Sequence, residues 1–516
     1  VADSPTPPVD DRRWYEGITR YQWLVLLIAS LGWVFDIFEG QIFVASMNEA
    51  MPSLMEQLPG ETEEAFTGRR RFYDNIALAA FLLGGATGGI IFGMLSDRIG
   101  RKQAMTFTIL FYSLFTCVSA FSQEWWHLAG LRFLVAMGVG GEWAVASSLV
   151  FEVFPRRARA HVGGIFHASS IFGTWLAIAA GAFIIGNPWF DQLASDVGIP
   201  SLKWRLGFAL GVLPALLIIW IRKNLKEPES WHQAKQRASE DSTQQVGRLQ
   251  DLFASGLLLH TVVGFTLAAV GMATFWGVHI YGKDVFRAAA QNVEIEAAVA
   301  DPDSLADPDV PGRSELVQQV SEVDNATSLT EETRTAVIAA RKNQLKRWEM
   351  LGMFLVTTGG GIGLVSFGPI SQRIGRRAAF LIYHVGGLIA ALAMFQIDFD
   401  MDTLYVALPI FGFLTLGMHA GYAIYFPELY PTRLRGTGTG FCFNAGRIAA
   451  APILFIAGWL QKDVGLSLGN ACSLLSLLYL VGAVVLLFAP ETRGRELFET
   501  AEDTQEPAGD APATDV

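Results

Sequence analysis

Cysteine is scarce, with three residues in 516, and so is charge, at 17% Asp, Glu, Lys and Arg. Three cysteines do not make a disulfide scaffold. Cys117, Cys442 and Cys472 all lie in apolar runs, where a small buried side chain is the plain reading. A soluble domain carries about a quarter charged residues, so this composition points away from a soluble enzyme. Bases are outnumbered by acids, 38 to 49, which excludes a nucleic-acid partner. The acid excess is local. Residues 284–346 hold twelve acids and six bases and 491–516 hold eight and two, leaving the rest near neutral. No metal-ligand spacing, phosphate loop or nucleophile constellation occurs. Gly359-Gly360-Gly361 lacks a following Lys-Ser/Thr and sits in an apolar run. Enzyme, metal and cofactor are therefore not expected.

What is abundant is apolar sequence: 51% hydrophobic residues, 36 Phe and 52 Gly, with a mean hydropathy of +0.35. A bilayer core of about 30 Å takes about 20 apolar residues per helix. Twelve candidate spans can be read: Tyr21–Met47, Ile76–Leu95, Met105–Phe121, Trp126–Phe151, Val162–Ile185, Phe208–Ile221, Leu252–Tyr281, Met350–Ile370, Ala378–Phe395, Leu404–Phe426, Gly440–Leu460 and Leu468–Phe488. The fold class expected is an all-α membrane protein of twelve transmembrane helices in two pseudo-symmetric six-helix halves. In domain terms this gives a tail over 1–20, a first half over 21–222, a linker over 223–251, a second half over 252–490 and an acidic tail over 491–516. The stretches Val1–Pro8 and 496–516 read as disordered, and no secretory signal precedes the first span.

Basic residues set the orientation. Twenty-two of the 38 fall in short segments on one side, and the connections at 396–402 and 122–124 on the other side hold none. The positive-inside rule then places both termini in the cytoplasm of a plasma (inner) membrane protein. Arg69–Arg71 is an exception on the outer side, set among Glu61, Glu63, Glu64 and Asp74. The outer segment 284–346 is too long for an ordinary connection. Its Asp/Pro-rich opening (301–312) and helix-like run from Glu315 to Arg347 predict a small periplasmic cap, with a disordered linker as the alternative. The charged linker predicts an amphipathic helix on the membrane surface.

The chain repeats itself. Gly93-x-x-x-Asp97-Arg98-x-Gly100-Arg101-Lys102 recurs as Gly368-x-x-x-Gln372-Arg373-x-Gly375-Arg376-Arg377, and Glu152-x-x-Pro155-x-Arg157-x-Arg159 recurs as Glu428-x-x-Pro431-x-Arg433-x-Arg435. The offsets are nearly equal, which implies two halves of like orientation. Such halves place a substrate site at their midplane interface and work by rocking. The two basic turns, Glu227-Pro228-Glu229-Ser230 and Pro490-Glu491-Thr492-Arg493-Gly494 resemble the major facilitator superfamily, the last of them its sugar-porter-like branch, over about residues 20–495. Gly32-Trp33-Val34-Phe35-Asp36, Gly140-Gly141-Glu142-Trp143 and Trp204-Arg205 are more similar to its sialate/lactate:proton and related metabolite:proton symporters. One departure stands out: Gln372 replaces the acid that Asp97 provides in the first copy. The repeated residues Gly93, Asp97, Arg98, Gly100, Arg101, Glu152, Arg157, Arg159, Gly368, Arg373, Gly375, Arg376, Glu428, Arg433 and Arg435 read as a gating element, whose bases also meet lipid headgroups.

An ionisable group at the bilayer centre costs about 2.5–3.5 kcal/mol, so it needs a partner or a task. Asp36, Glu39, Arg132, Glu142 and Arg447 are the candidates. Counted from the span edges, Asp36 and Arg132 fall at one level, and the resemblance implies that they form the proton-coupling pair. A static pair fixing helix register is the alternative. Glu39 shares the proton, contacts substrate or sits wet in the vestibule. Glu142 either transfers a proton or packs among Gly138, Gly140 and Gly141. Arg447, with Asn444, is a natural clamp for a substrate carboxylate, or else a partner for an acid of the first half. His419, His260 and Trp33 are read as cavity-lining; a single hydrogen bond would account for most of the other histidines. The function expected is proton-coupled transport of a small organic anion by a monomer whose partners are substrate, proton and lipid. The alternatives are a sugar or polyol porter, which the scarcity of amides on spans five and seven disfavours, and a binding or sensor protein using the outer segment.

Overall fold

The computed structural model describes residues 12–184, 188–199, 201–241, 244–305, 313–323 and 325–494, and these contain helices and no strands. Of the predicted tails, residues 12–20 and 491–494 are described, and the stretches read as disordered, 1–8 and 496–516, lie outside the described residues. In the first half, spans 1 to 4 are Arg20–Ser53, Glu63–Ile99, Arg101–Ser119 and Trp125–Val153. Span 5 is Arg156–Ala168 continued by Ser170–Ile184, and span 6 is Leu202–Ala209 continued by Ala215–Asn224. In the second half, span 7 is Leu258–Gly277 continued by Gly282–Ala300. Spans 8 and 9 are Lys342–Ile374 and Arg376–Gln396. Span 10 is Met401–Leu416 with His419–Glu428, span 11 is Arg435–Lys462, and span 12 is Leu468–Ser476 with Leu478–Val485.

Eleven of these, among the described residues, are long and apolar enough to cross a membrane; the helix Arg101–Ser119 is the one that falls short. Its first turn carries Arg101, Lys102 and Gln103, and Thr108, Ser113, Thr116 and Ser119 lie on its buried side. That polar face is turned to the protein, while Phe107, Leu110 and Leu114 stay exposed, as lipid requires. It occupies the third place in a fold of twelve spans in two halves of six.

The turns between spans 2 and 3 and between spans 8 and 9 are built alike. Gly100 and Gly375 take φ of 105° and 97°, a conformation that favours glycine. The exposed amides that begin the next helix are capped from afar. Glu227 accepts from the N–H groups of Arg101 (2.7 Å) and Lys102 (3.0 Å), and Glu491 from those of Arg376 (2.9 Å) and Arg377 (3.1 Å). The two motif acids beyond spans 6 and 12 thus tie the end of each half to its own basic turn. The linker helix Glu229–Glu240 is not laid out on a membrane surface alone: Trp231 is buried and its Nε1 donates to the Asp97 carbonyl at 2.7 Å.

The segment between spans 7 and 8 is a folded cap, and it is helical earlier than its Asp/Pro-rich sequence suggests. Gly282–Ala300 prolongs span 7. Helices Arg313–Ser321 and Glu331–Ala340 follow, interrupting what the sequence reads as one helix from Glu315. Ile295, Ala298, Leu305, Leu316, Val320, Leu329 and Val337 form a small core of its own. Glu349 of span 8 pairs with Lys283 (2.5 Å) and Lys346 (3.1 Å), and Trp348 Nε1 donates to Glu294 (2.8 Å), fastening the prolonged span 7 to span 8.

The expected Asp36–Arg132 pair does not form. Arg132 donates from Nη1 to Glu39, one helical turn further along span 1, and from Nη2 to Ser119 Oγ at 2.8 Å. Thr116 Oγ1 donates to the same Glu39 oxygen at 3.1 Å. The guanidinium carbon stands 5.0 Å and 4.8 Å from the ring centres of Phe43 and Phe208. The reason is helix length. Span 4 runs from Trp125 to Val153, so Arg132 lies about 32 Å from its basic end. Asp36 lies about 24 Å and Glu39 about 28 Å from the corresponding end of span 1. The pair thus joins spans 1, 3, 4 and 6 inside the first half, fully buried. Removing one member of such a pair costs about 3–5 kcal/mol, whereas replacing both by apolar groups is far milder. Arg132→Met alone should therefore lower the melting temperature of the detergent-purified protein markedly. Adding Glu39→Leu should restore most of the loss, and no recovery in the double variant would show that the two side chains act separately.

Candidate functional site

Near mid-depth, the first half buries two carboxyl groups side by side. Asp36 (span 1) and Glu142 (span 4) are 1% and 0% exposed, and none of their four carboxyl oxygens has a hydrogen-bond partner. Glu142 is nested on span 1 where Gly32 leaves room; a Cβ there would collide with its carboxyl group. Gly32 and Asp36 are one turn apart, so the two acids share the space beside the same helix face. Glu142 and the hydroxyl of Tyr112 (span 3) are among Asp36's nearest electrostatic neighbours. Burying two unpartnered carboxylates together is costly, and a proton held between them relieves it.

From the second half, Arg447 of span 11 faces Asp36. It makes no hydrogen bond or ion pair among the described residues, and its guanidinium carbon lies 5.2 Å from the Phe443 ring centre. Span 2 makes way for it: Gly85 is where Arg447 Nη1 passes, and Gly89 is where Asn444 sits. Asn444 Nδ2 donates to the carbonyls of Gly440 (3.0 Å) and Gly140 (3.3 Å), and its Oδ1 is left without a partner. The arrangement is two buried acids side by side in the first half, with an uncommitted cation of the second half near Asp36.

Around it lies an aromatic wall. Trp33 Nε1 donates to the His167 carbonyl and Trp143 Nε1 to His167 Nδ1, both at 3.2 Å. Trp143 stacks on Phe443 at 3.7 Å between ring centres. His419 is 5% exposed and meets Tyr422 and Phe275 ring to ring. His260 is not part of this group. Span 7 begins at Leu258, not at Leu252, so His260 stands at the basic end, its Nδ1 3.0 Å from the Leu429 carbonyl.

On the basic side the halves are locked together. Asp97 accepts from Arg101 at 2.5 Å within its own half, and from Gly436 N (3.1 Å), Thr437 N (2.8 Å) and Thr437 Oγ1 (2.6 Å) across the interface. Glu152 accepts from Arg101 at 2.7 Å and from Arg435 at 3.1 Å, also across it. Gly93 lets span 2 touch Gly436, and Gly368 lets span 8 touch Ala160. The second copy makes no equivalent clamp. Gln372 meets Arg376 at 3.4 Å, and Glu428 binds Arg376 (2.9 Å) and Thr492 (2.5 Å), all within the second half. The remaining basic residues hold backbone or linker. Arg98 donates to the Gly247 carbonyl (3.1 Å), Arg157 to that of Glu16, Arg159 to those of Phe151 (3.0 Å) and Phe154 (3.1 Å), and Arg433 to Asp251 (2.5 Å), while the Arg373 carbonyl accepts from Arg493 (2.5 Å).

Three residues of these sites carry weak sequence signals. Tyr112 is one aromatic in an apolar run. Thr437 lies in the small-residue run that opens span 11, and nothing in its local pattern marks it as the partner of Asp97. His167 is hidden among histidines that one hydrogen bond would explain; its spacing of 276 from Phe443, equal to that of the Glu152/Glu428 repeat, is the signal that finds it.

Residues 42–291 match the Major Facilitator Superfamily. Over 500 residues the chain is 25% identical to a probable 4-methylmuconolactone transporter of Cupriavidus pinatubonensis, covering 96% of this chain and 97% of that one. Over 475 residues it is 25% identical to a sialic acid transporter of Escherichia coli, covering 91% and 96%. In fold it is similar to the proton:xylose symporter solved with 6-bromo-6-deoxy-D-glucose, at a TM-score of 0.66 and 16% identity over 94% of this chain and 99% of that one. With full-length relatives among transporters, two six-helix halves and the repeated turn that locks them, the chain is an integral membrane transporter similar to members of the major facilitator superfamily.

Proposed function

We propose that this protein is a proton-coupled symporter of small organic anions, with its basic side and both termini in the cytoplasm. The observation that carries the reading is the pair of unpartnered buried carboxyl groups, Asp36 and Glu142, with the uncommitted Arg447 of the second half near Asp36. With Asp36 ionised, its charge and that of Arg447 attract, and the guanidinium is held by the protein. A proton on the Asp36–Glu142 pair removes that attraction and frees Arg447 to bind a substrate carboxylate bidentately. Proton and anion then favour the same occupied state, which is what coupling requires. Neither ligand alone leaves the pocket balanced: the anion without the proton adds a second negative charge beside Asp36. Glu39 and Arg132, paired with each other within the first half, keep span 1 in register under the coupling group. The lock of Asp97 and Glu152 with span 11 closes the cytoplasmic side, and its release opens that side while the halves rock. Relatives named for sialic acid and 4-methylmuconolactone fit a carrier of organic acids.

In proteoliposomes, Asp36→Asn should abolish accumulation driven by a pH gradient while counterflow of labelled substrate persists. Undiminished proton-driven uptake by that variant would refute the coupling role. Arg447→Lys should weaken carboxylate binding by about 10-fold or more, through loss of the bidentate contact. Neutral analogues of the same size should lose much less, and an equal loss for both would show that Arg447 does not hold the acid group. A vesicle screen of carboxylates against sugars, with internal pH recorded, tests the whole reading.

A further inference from the structure

On the basic side, the seam between spans 5 and 8 sets basic groups of one half against basic groups of the other. The first half brings Arg156 and His161, and the second brings Arg373 and Arg376 of its basic turn. Gly368 lets the two spans touch: a Cβ on it would stand 3.2 Å from His161 Cα. Arg373 and Arg376 are the charged groups that His161 meets across that contact. No acid of the second motif copy serves this seam. Gln372 stands where the first copy has Asp97. Glu428 is taken by Arg376 (2.9 Å) and Thr492 (2.5 Å), and Glu491 by the amides that begin span 9. Arg156 and Arg373 are exposed, and neither side chain makes a hydrogen bond or ion pair among the described residues. Like charges gathered at a closed seam repel, and an anion placed between them relieves the repulsion.

The chain itself delivers acids to this place. Residues 491–494 are held to the second half by Thr492 on Glu428 and by Arg493, whose Nη1 donates to the Arg373 carbonyl at 2.5 Å. They end against the first half: a Cβ on Gly494 would stand 3.0 Å from Arg156 Nη2. Gly494 is the last described residue. The next stretch, 495–506, holds Glu496, Glu499, Glu502, Asp503 and Glu506 against one base, Arg495. At about 3.5 Å of chain per residue, Glu496 lies within about 7 Å of Gly494. A run of carboxylates therefore leaves the described fold where bases of both halves meet.

We propose that residues 496–506 dock on the basic side across spans 5 and 8, their carboxylates bridging Arg156 of the first half and Arg373 of the second. The tail supplies the negative charge that Gln372 leaves out, and it does so from outside the helices. It braces the closed state, because Arg156 and Arg373 part when that side opens and the acids then keep the bases of one half only. Exposed charge pairs are individually weak and are screened by salt. The brace is thus adjustable in a way that the buried lock of Asp97 and Glu152 is not. None of this depends on the cargo.

The test uses the full-length protein in phosphatidylcholine nanodiscs, with photoreactive benzoylphenylalanine in place of Thr504, far enough beyond Gly494 to reach other surfaces. At low salt its adducts should fall on residues 155–161 and 371–377. Their yield should drop about 5-fold when Glu496→Gln, Glu499→Gln, Glu502→Gln, Asp503→Asn and Glu506→Gln are combined, and likewise at about 0.5 M salt or in Arg156→Gln with Arg373→Gln. Amide hydrogen exchange in the same two segments should quicken about 5-fold in the neutral-tail variant. Its five substitutions lie beyond the described helices and touch none of their contacts. Adduct yields indifferent to these charges, or adducts elsewhere on the chain or on lipid alone, would overturn the docking. Exchange that follows added phosphatidylglycerol and ignores the tail acids would give the bases to lipid headgroups, and would overturn it as well.

Discussion

A charge inside hydrocarbon must find a partner, and in this protein the choice of partner decides which helices stay together and which can separate. Glu39 and Arg132 find each other within one half, buried among Thr116, Ser119, Phe43 and Phe208. Such a pair gives nothing to the partner half and costs several kcal/mol to break, so it belongs to the part that moves as a body. Asp36, Glu142 and Arg447 are placed on opposite sides of the dividing surface and left incompletely satisfied. The same physical rule therefore yields a rigid element in one place and a responsive one a single helical turn away.

The lock on the basic side obeys the same logic with an asymmetry that follows from one residue. Asp97 offers two carboxylate oxygens, enough for Arg101 within its half and for Gly436 and Thr437 across the interface. Gln372 has a single acceptor oxygen and no charge; it makes a long contact to Arg376 and no bond to the first half among the described residues. The contact of spans 5 and 8 relies instead on backbone approach at Gly368. Rocking must therefore break charge-assisted hydrogen bonds along spans 2 and 11 but only packing along spans 5 and 8. The first seam is the one whose opening costs most and can be set by charge.

Those parts of the structure that depend on local chemistry were readable from the residues. A glycine at positive φ between two helices, followed by bases and repeated at one offset, specifies a turn and its copy, and the structure has both at Gly100 and Gly375. The spans follow from apolar length, save that the third hides its polar face inward. What depended on exact depth was not readable. Counting rise from assumed membrane edges places Asp36 level with Arg132, because the overhang of helices beyond the bilayer, such as the outer turns of span 4, is invisible in composition. The same error put His260 in a cavity. Thr437, which meets Asp97 across the interface, and Tyr112, which lies beside Asp36 within the first half, carry no periodic signal at all. The break of the cap's helices before Glu331 leaves no such mark; Leu316 and Val320 before it and Val337 after it share one core with Ile295 and Ala298.

The repeat gives the last step. When two halves descend from one pattern, any residue on the dividing surface meets its own equivalent near the axis, and identical residues there would make a site with two like ends. Here the equivalents differ: tryptophan in one half answers histidine in the other, and histidine answers phenylalanine. Charge is unequal too, with the acids on the first half and Arg447 on the second. The interface of the halves therefore has a cationic side and an acidic side, with aromatic rings of both halves between them. Broken symmetry at the axis thus gives a repeated fold two chemically unlike faces where its halves meet.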